Sequence, residues 1–124
     1  MLRACGALIL AGVAPRSRAA PVFDQFPFSL GVASGYPEPG GVVLWTRLAP
    51  QPLVPGGGLS PEPVPVHWEV AEDEAFGSLA ATGTEYATAD WAHSVHAEPR
   101  GLQPDREYWY RFHAGNATSP VGRT

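Results

Sequence analysis

The chain has 124 residues, enough for one domain with a single hydrophobic core and too few for two of ordinary size. Its cations are 8 Arg with no Lys. Beyond residue 19, five arginines face all 12 carboxylates, a balance of −7 that repels a phosphate backbone and excludes nucleic acid as a partner. Gly 14 and Pro 14, spread between short apolar runs, predict many strands and turns rather than long helices or a disordered tract.

Residues 1–19 read as an export signal: a positive start at Arg3, an apolar run from Ala4 to Ala14, and small residues at Ser17-Arg18-Ala19 for cleavage. The run is shorter than the roughly 20 apolar residues that a membrane span requires, so no stable membrane insertion is expected after the signal is removed. The mature chain is expected to be secreted or periplasmic. Cys5, the single cysteine, would leave with the signal and take with it any disulfide or thiolate chemistry.

The remainder, residues 20–124, is predicted to form one domain of short strands. Phe28 to Ser34 is a first strand, stopped by the turn-forming Gly35-Tyr36-Pro37-Glu38-Pro39-Gly40-Gly41. Val42 to Leu48 is a second, with Val43 and Trp45 assigned inward and Val42 and Leu44 outward. The Pro/Gly-rich stretch from Ala49 to Pro65 reads as a long loop that cannot be helical. Val64 to Ala71 alternates cleanly, with Val64, Val66, Trp68 and Val70 on one face, and predicts a half-buried strand. Glu72 to Phe76 suits one helical turn; weaker strands follow at Ala80 to Ala87 and Ser94 to Ala97, and then Glu107 to His113 and Ala117 to Val121. About seven short strands with turn signals between them predict an all-β, immunoglobulin- or fibronectin-III-like antiparallel β-sandwich.

GLQPDREYWYRF (101–112) sharpens the prediction, because Leu102 and Pro104 stand six and four residues before Tyr108, the layout of a tyrosine corner. In such a corner the ring fills the core while the hydroxyl bonds back to the upstream backbone. Leu102, Pro104, Tyr108, Trp45 and Trp68 are therefore the expected structural residues.

No catalytic set emerges. His93 and His96 lie three apart, which on a strand places them on opposite faces, and His67 and His113 read as solvent-facing strand residues. GVASG (31–35) lacks the glycine two before the serine that a nucleophile elbow needs, and Gly56-Gly57-Gly58 has no following Lys. Glu72-Asp73-Glu74 lacks the remaining ligands of a calcium loop, and Asn116-Ala117-Thr118 is a glycosylation acceptor only in a eukaryotic secretory route. Val42, Leu44 and, on the outside of its strand, Trp109 form the candidate docking surface; the competing arrangement is that the loop from Ala49 to Pro65 folds over them.

FPFSLGVASGYP (26–37), VVLWTRLAP (42–50), PVPVHWEVAEDEAF (63–76), WAHSVHAEPRGLQPDREYWYRFHAG (91–115) and SPVGRT (119–124) together resemble the N-terminal domain of PhoD-type alkaline phosphatases. The resemblance implies a β-sandwich ahead of a C-terminal metallophosphatase domain, which would start after Thr124 and be this module's partner. Phosphodiesterase and phosphomonoesterase activity, and the calcium and iron that support it, would belong to that domain, leaving this chain no catalytic, metal or cofactor residue of its own. Two departures are visible: Tyr36 stands where the family usually has Asp, and Arg3 alone precedes the apolar run where twin arginines are usual. Alternatives from other classes are a secreted binding module with Trp91 and Trp109 stacked on sugar rings, and the accessory domain of a purple acid phosphatase.

Overall fold

The structure, a computed structural model, describes residues 20–124; the expected export signal, with Arg3, Cys5, Arg16 and Arg18, lies outside the described residues. Among the described residues eight strands are present: β1 (Val32–Glu38), β2 (Gly41–Arg47), β3 (Val64–Ala71), β4 (Leu79–Ala87), β5 (Ser94–Ala97), β6 (Trp109–Ala114), β7 (Ala117–Thr118) and β8 (Gly122–Arg123). They form two antiparallel sheets packed as a sandwich. The smaller runs β1-β2-β5, and the larger runs β4-β3-β6, with the short β7 and β8 both paired to the far edge of β6.

The core between the sheets follows from alternation. β3 sends Val64, Val66, Trp68 and Val70 inward; β6 sends Tyr110, Phe112 and Ala114; β5 sends Val95 and Ala97. Cross-strand register places Trp68 opposite Phe112 and Val70 opposite Tyr110, so the widest side chains share the middle of the larger sheet. Between β7 and β8 the ladder on β6 is interrupted, and Ser119 repairs it: its N–H donates to the Phe112 carbonyl at 2.8 Å, and its hydroxyl accepts from the Phe112 N–H at 2.8 Å. The buried side chain is tolerated there because its hydroxyl is satisfied twice, accepting from the Phe112 N–H and donating to the Pro120 carbonyl at 2.8 Å.

β2 corrects the sequence reading. Val42 and Leu44 are buried, Leu44 at 0% exposure, while Val43 and Trp45 are half-buried on the outer face of the smaller sheet. The run has apolar residues at both parities, so hydrophobicity alone does not phase it. Thr46 does: it points inward at 0% exposure and donates its Oγ1–H to the Gly31 carbonyl at 2.9 Å, so its polarity is no bar to burial. Arg47 continues the outward parity of Val43 and Trp45. Trp45 is accordingly an outer-face residue, and the loop after Ala49 is not what covers Val42 and Leu44; the opposite sheet is.

Smaller differences share one cause, local backbone geometry that composition does not show. β1 begins four residues later than expected and continues through Gly35, Tyr36 and Pro37, with a bulge between Gly35 and Glu38 and Tyr36 at φ +51°. Phe28 is a buried core residue outside any strand. Residues Pro55–Gly58 form consecutive tight turns rather than a helix, closed by Gly57 N–H to the Val54 carbonyl and Leu59 N–H to the Gly56 carbonyl, with Gly56 and Gly57 at left-handed φ of +74° and +69° that glycine adopts without strain. The stretch from Glu72 to Phe76 is a turn, not a helix: the Asp73 carboxylate accepts from Gly77 N–H at 3.0 Å and Ser78 N–H at 2.8 Å. Those two donors hold the Asp73 carboxyl below its ordinary range.

Candidate functional site

Three features stand apart from the plain framework. The first is the corner at Tyr108. Its ring is buried at 4% exposure, and its hydroxyl accepts a hydrogen bond from the Gln103 backbone N–H at 2.7 Å. Leu102 is buried beneath the same turn, its N–H donating to the Gly40 carbonyl at 3.1 Å, while Pro104 is exposed at the turn's tip. The Tyr108 backbone exchanges both of its hydrogen bonds with Thr124, each 2.9 Å, which fastens the end of the chain to the start of β6. The neighbouring core phenol, Tyr110, is pushed up in pKa by burial, against which a hydrogen bond from Ser34 acts weakly.

The second lies on the outer face of the larger sheet. Glu69 of β3 stands opposite Arg111 of β6, and one of its oxygens accepts from Arg111 Nε at 2.7 Å and meets His113 Nε2 at 3.0 Å. Burial on its own would raise the Glu69 carboxyl, but the hydrogen bonds and charges of His113 and Arg111 outweigh it and hold the pKa below 4.5. The His67 and His113 rings stack at 6.2 Å, and the Arg111 guanidinium lies 4.0 Å over the Phe76 ring. The polar groups of this cluster therefore face one another, which closes the surface to an incoming anion. Strand alternation puts both histidines and Glu69 on the solvent side, but the pairing of Glu69 with His113 and Arg111 is visible only in the β3–β6 register.

The third is the outer face of the smaller sheet. Val43, Trp45 and Arg47 run along its central strand, with Ala33 and Gly35 of β1 opposite Trp45 and Val43 on one flank and His96 of β5 opposite Trp45 on the other. The candidate docking residues thus do not converge: Val42 and Leu44 are in the core, and Trp109 is half-buried on the outer face of the other sheet, opposite Ala71 and Arg123. Trp91, 72% exposed, sits in the connection between the sheets rather than beside Trp109.

His93 is buried at 2% with its Nε2 at 3.2 Å from the Glu62 carbonyl, whereas His96 is exposed, so the pair shares no ligand position. Among the described residues, no group of three or more His, Cys, Asp or Glu side chains is placed to hold a metal ion. An open cleft of about 720 Å³ lies between residues 20–25 and the loop around Leu59 and Pro63; its lining has no convergent charged groups beyond Asp24 and Glu62.

The family model described as the N-terminal domain of PhoD-like phosphatases matches residues 12–124. The chain belongs to that family. It is 57% identical over 106 residues to alkaline phosphatase D of Bacillus subtilis (strain 168), covering 86% of this chain and 18% of that protein. A solved structure titled "Structure of PhoD" superposes with a TM-score of 0.82 at 56% identity, covering 84% of this chain and 20% of that one. The PhoD-like domain therefore spans about a fifth of the length of these relatives, and the sandwich described above is the fold they share with it over that fifth.

Proposed function

We propose that this domain is the non-catalytic N-terminal module of an exported PhoD-like alkaline phosphatase or phosphodiesterase, whose phosphate-ester hydrolysis is carried out by a C-terminal metallophosphatase portion. The observation that carries this reading is the mismatch of coverage: 86% of this chain aligns with alkaline phosphatase D, and only 18% of that protein is used. The chemistry of the described residues supports it. The Glu69 carboxylate and its His113 and Arg111 neighbours are bound to one another, and Asp73 to its own turn. The donor set does not fit calcium or iron, which in this reading belong to the phosphatase portion. Export rests on the residues 1–19 pattern; among the described residues no helix is long and apolar enough to cross a membrane.

The test is a pair of proteins: residues 20–124 alone, and the same residues in place of their counterpart in the Bacillus subtilis relative. The chimera is expected to hydrolyse p-nitrophenyl phosphate or its bis-ester at a rate close to that relative's, and the domain alone not at all. Metal-dependent turnover by the isolated domain would overturn the reading, as would a folded chimera without activity.

A further inference from the structure

We propose that the outer face of the smaller sheet, centred on Trp45 and Val43, is the surface against which the phosphatase portion docks, an inference that rests on the accessory-module reading. Trp45 stands in the middle of this face, and its β1 flank is Ala33, opposite it, followed by Gly35 opposite Val43. A methyl group and a hydrogen give the indole and the valine nothing to lean on, which leaves an apolar ridge beside a shallow trough. Every β1 residue after Val32 is exposed. Arg47, the one charge in the row, turns aside and donates its Nε–H to the Ala92 carbonyl at 2.9 Å. Charge collects instead at the rim, where the exposed Arg100 pairs with Glu38 and approaches Glu98 at 3.9 Å. An apolar centre inside a charged rim is the anatomy of a protein–protein contact. The larger sheet presents the opposite picture, its outer face crossed by Glu69, Arg111 and His113.

The occupant follows from covalent geometry. The domain accounts for 18% of alkaline phosphatase D, so most of such a protein lies outside it. Thr124 is fastened to Tyr108, and β8, the strand leading to it, runs beside β1 across the seam of the sandwich. Ser34 of β1 reaches across that seam to the Tyr110 hydroxyl. A chain continuing from Thr124 therefore leaves the sandwich along the edge that β1 occupies, the strand that carries Ala33 and Gly35. Its effective concentration at that face exceeds that of any free partner.

The experiment uses the chimera defined above, with Ala33→Arg to place a long charged side chain in the trough and Thr82→Arg on the exposed outer face of the larger sheet as control. Limited proteolysis at the junction after residue 124 reads the docked fraction, because cleavage tracks the open population. Ala33→Arg is expected to speed junction cleavage by about tenfold and to raise hydrogen exchange across residues 32–47, while Thr82→Arg leaves both unchanged and circular dichroism shows both variants folded. Trp45→Ser should reproduce the Ala33→Arg result. An active chimera whose junction is equally protected with and without Ala33→Arg overturns the docking surface and leaves the accessory-module reading standing. So does equal exposure by Thr82→Arg, or a parent dimer that Ala33→Arg converts to monomer, which would make the occupant a second copy. A folded chimera lacking phosphatase turnover overturns both.

Discussion

Gly83 lies on the edge strand β4 directly opposite Trp68, whose indole spreads back over it. A methyl group at Gly83 would sit 2.6 Å from Trp68 Cε2 and 2.8 Å from Nε1, with Cζ2 nearer still, so Gly83→Ala forces the indole out of its place. Trp68 is 8% exposed and packs against Phe112 and Val66 in the core, which leaves it little room to retreat. Three magnitudes decide the sign. Replacing a strand glycine by alanine gains about 0.5–1 kcal/mol of backbone entropy. Overpacking a dense core costs about 1–3 kcal/mol, and an off-rotamer side chain about 0.5–1.5 kcal/mol more. The net expectation is a loss of about 2 kcal/mol, seen as a melting temperature lower by about 8 °C for a domain of this size. Urea unfolding followed by far-UV circular dichroism should show a lower midpoint at unchanged slope. The diagnostic is the double variant: a phenylalanine has a single ring in place of the fused indole whose Nε1 and Cζ2 edge meets the new methyl, so Gly83→Ala should cost about 1–2 kcal/mol less in a Trp68→Phe background than in the parent. Additive effects, or a Gly83→Ala protein as stable as the parent, would refute the reasoning.

Leu44→Ala should cost about 2–5 kcal/mol, as for a fully buried leucine, whereas Val43→Ala on the outer face should cost under about 1 kcal/mol; equal costs in chemical denaturation would contradict the observed phase of β2. Tyr108→Phe keeps the ring in the core but leaves the Gln103 N–H without its acceptor, and should lower the unfolding free energy by about 1 kcal/mol, with accelerated exchange of that amide by NMR. Glu69 binds its proton less readily in the native state than in the unfolded chain, so its contribution is fully present above the ordinary value of 4.5 and is lost as pH falls through the lowered native value. Stability curves of parent and Glu69→Gln should therefore converge in acid and separate above pH 4.5, with the parent the more stable; parallel curves across that range would show that the His113 and Arg111 contacts contribute nothing.

What the sequence disclosed was what short-range pattern encodes. β3 was legible to the residue, Val64–Ala71, because its alternation is strict, and β5 likewise. The spacing that placed Tyr108 after Leu102 and Pro104 is local too, and the hydroxyl-to-Gln103 bond spans only five residues. β2 was legible as a strand and misread in phase, since VVLWTRL offers apolar residues on both faces and the tryptophan drew the inward assignment that Thr46 holds. Arg47 and the fully buried Leu48 mark the true parity. The start of β1 was misplaced because Phe28 is anchored from outside the sheet and the bulge carries the strand across Pro37. The outer-face cluster joins Glu69 to residues 42 and 44 positions away, and the Trp45 trough needs Ala33 set opposite it; neither exists until strands are paired in register.

The double clasp between Tyr108 and Thr124 has a mechanical consequence. With both main-chain bonds of its final residue engaged, the sandwich offers no slack at that end, so any sequence joined there inherits a fixed heading rather than a swivel. A force applied through the junction would be delivered straight into the first pair of β6, where Trp109 faces Arg123. Inserting a few glycines after residue 124 would turn a rigid bracket into a leash.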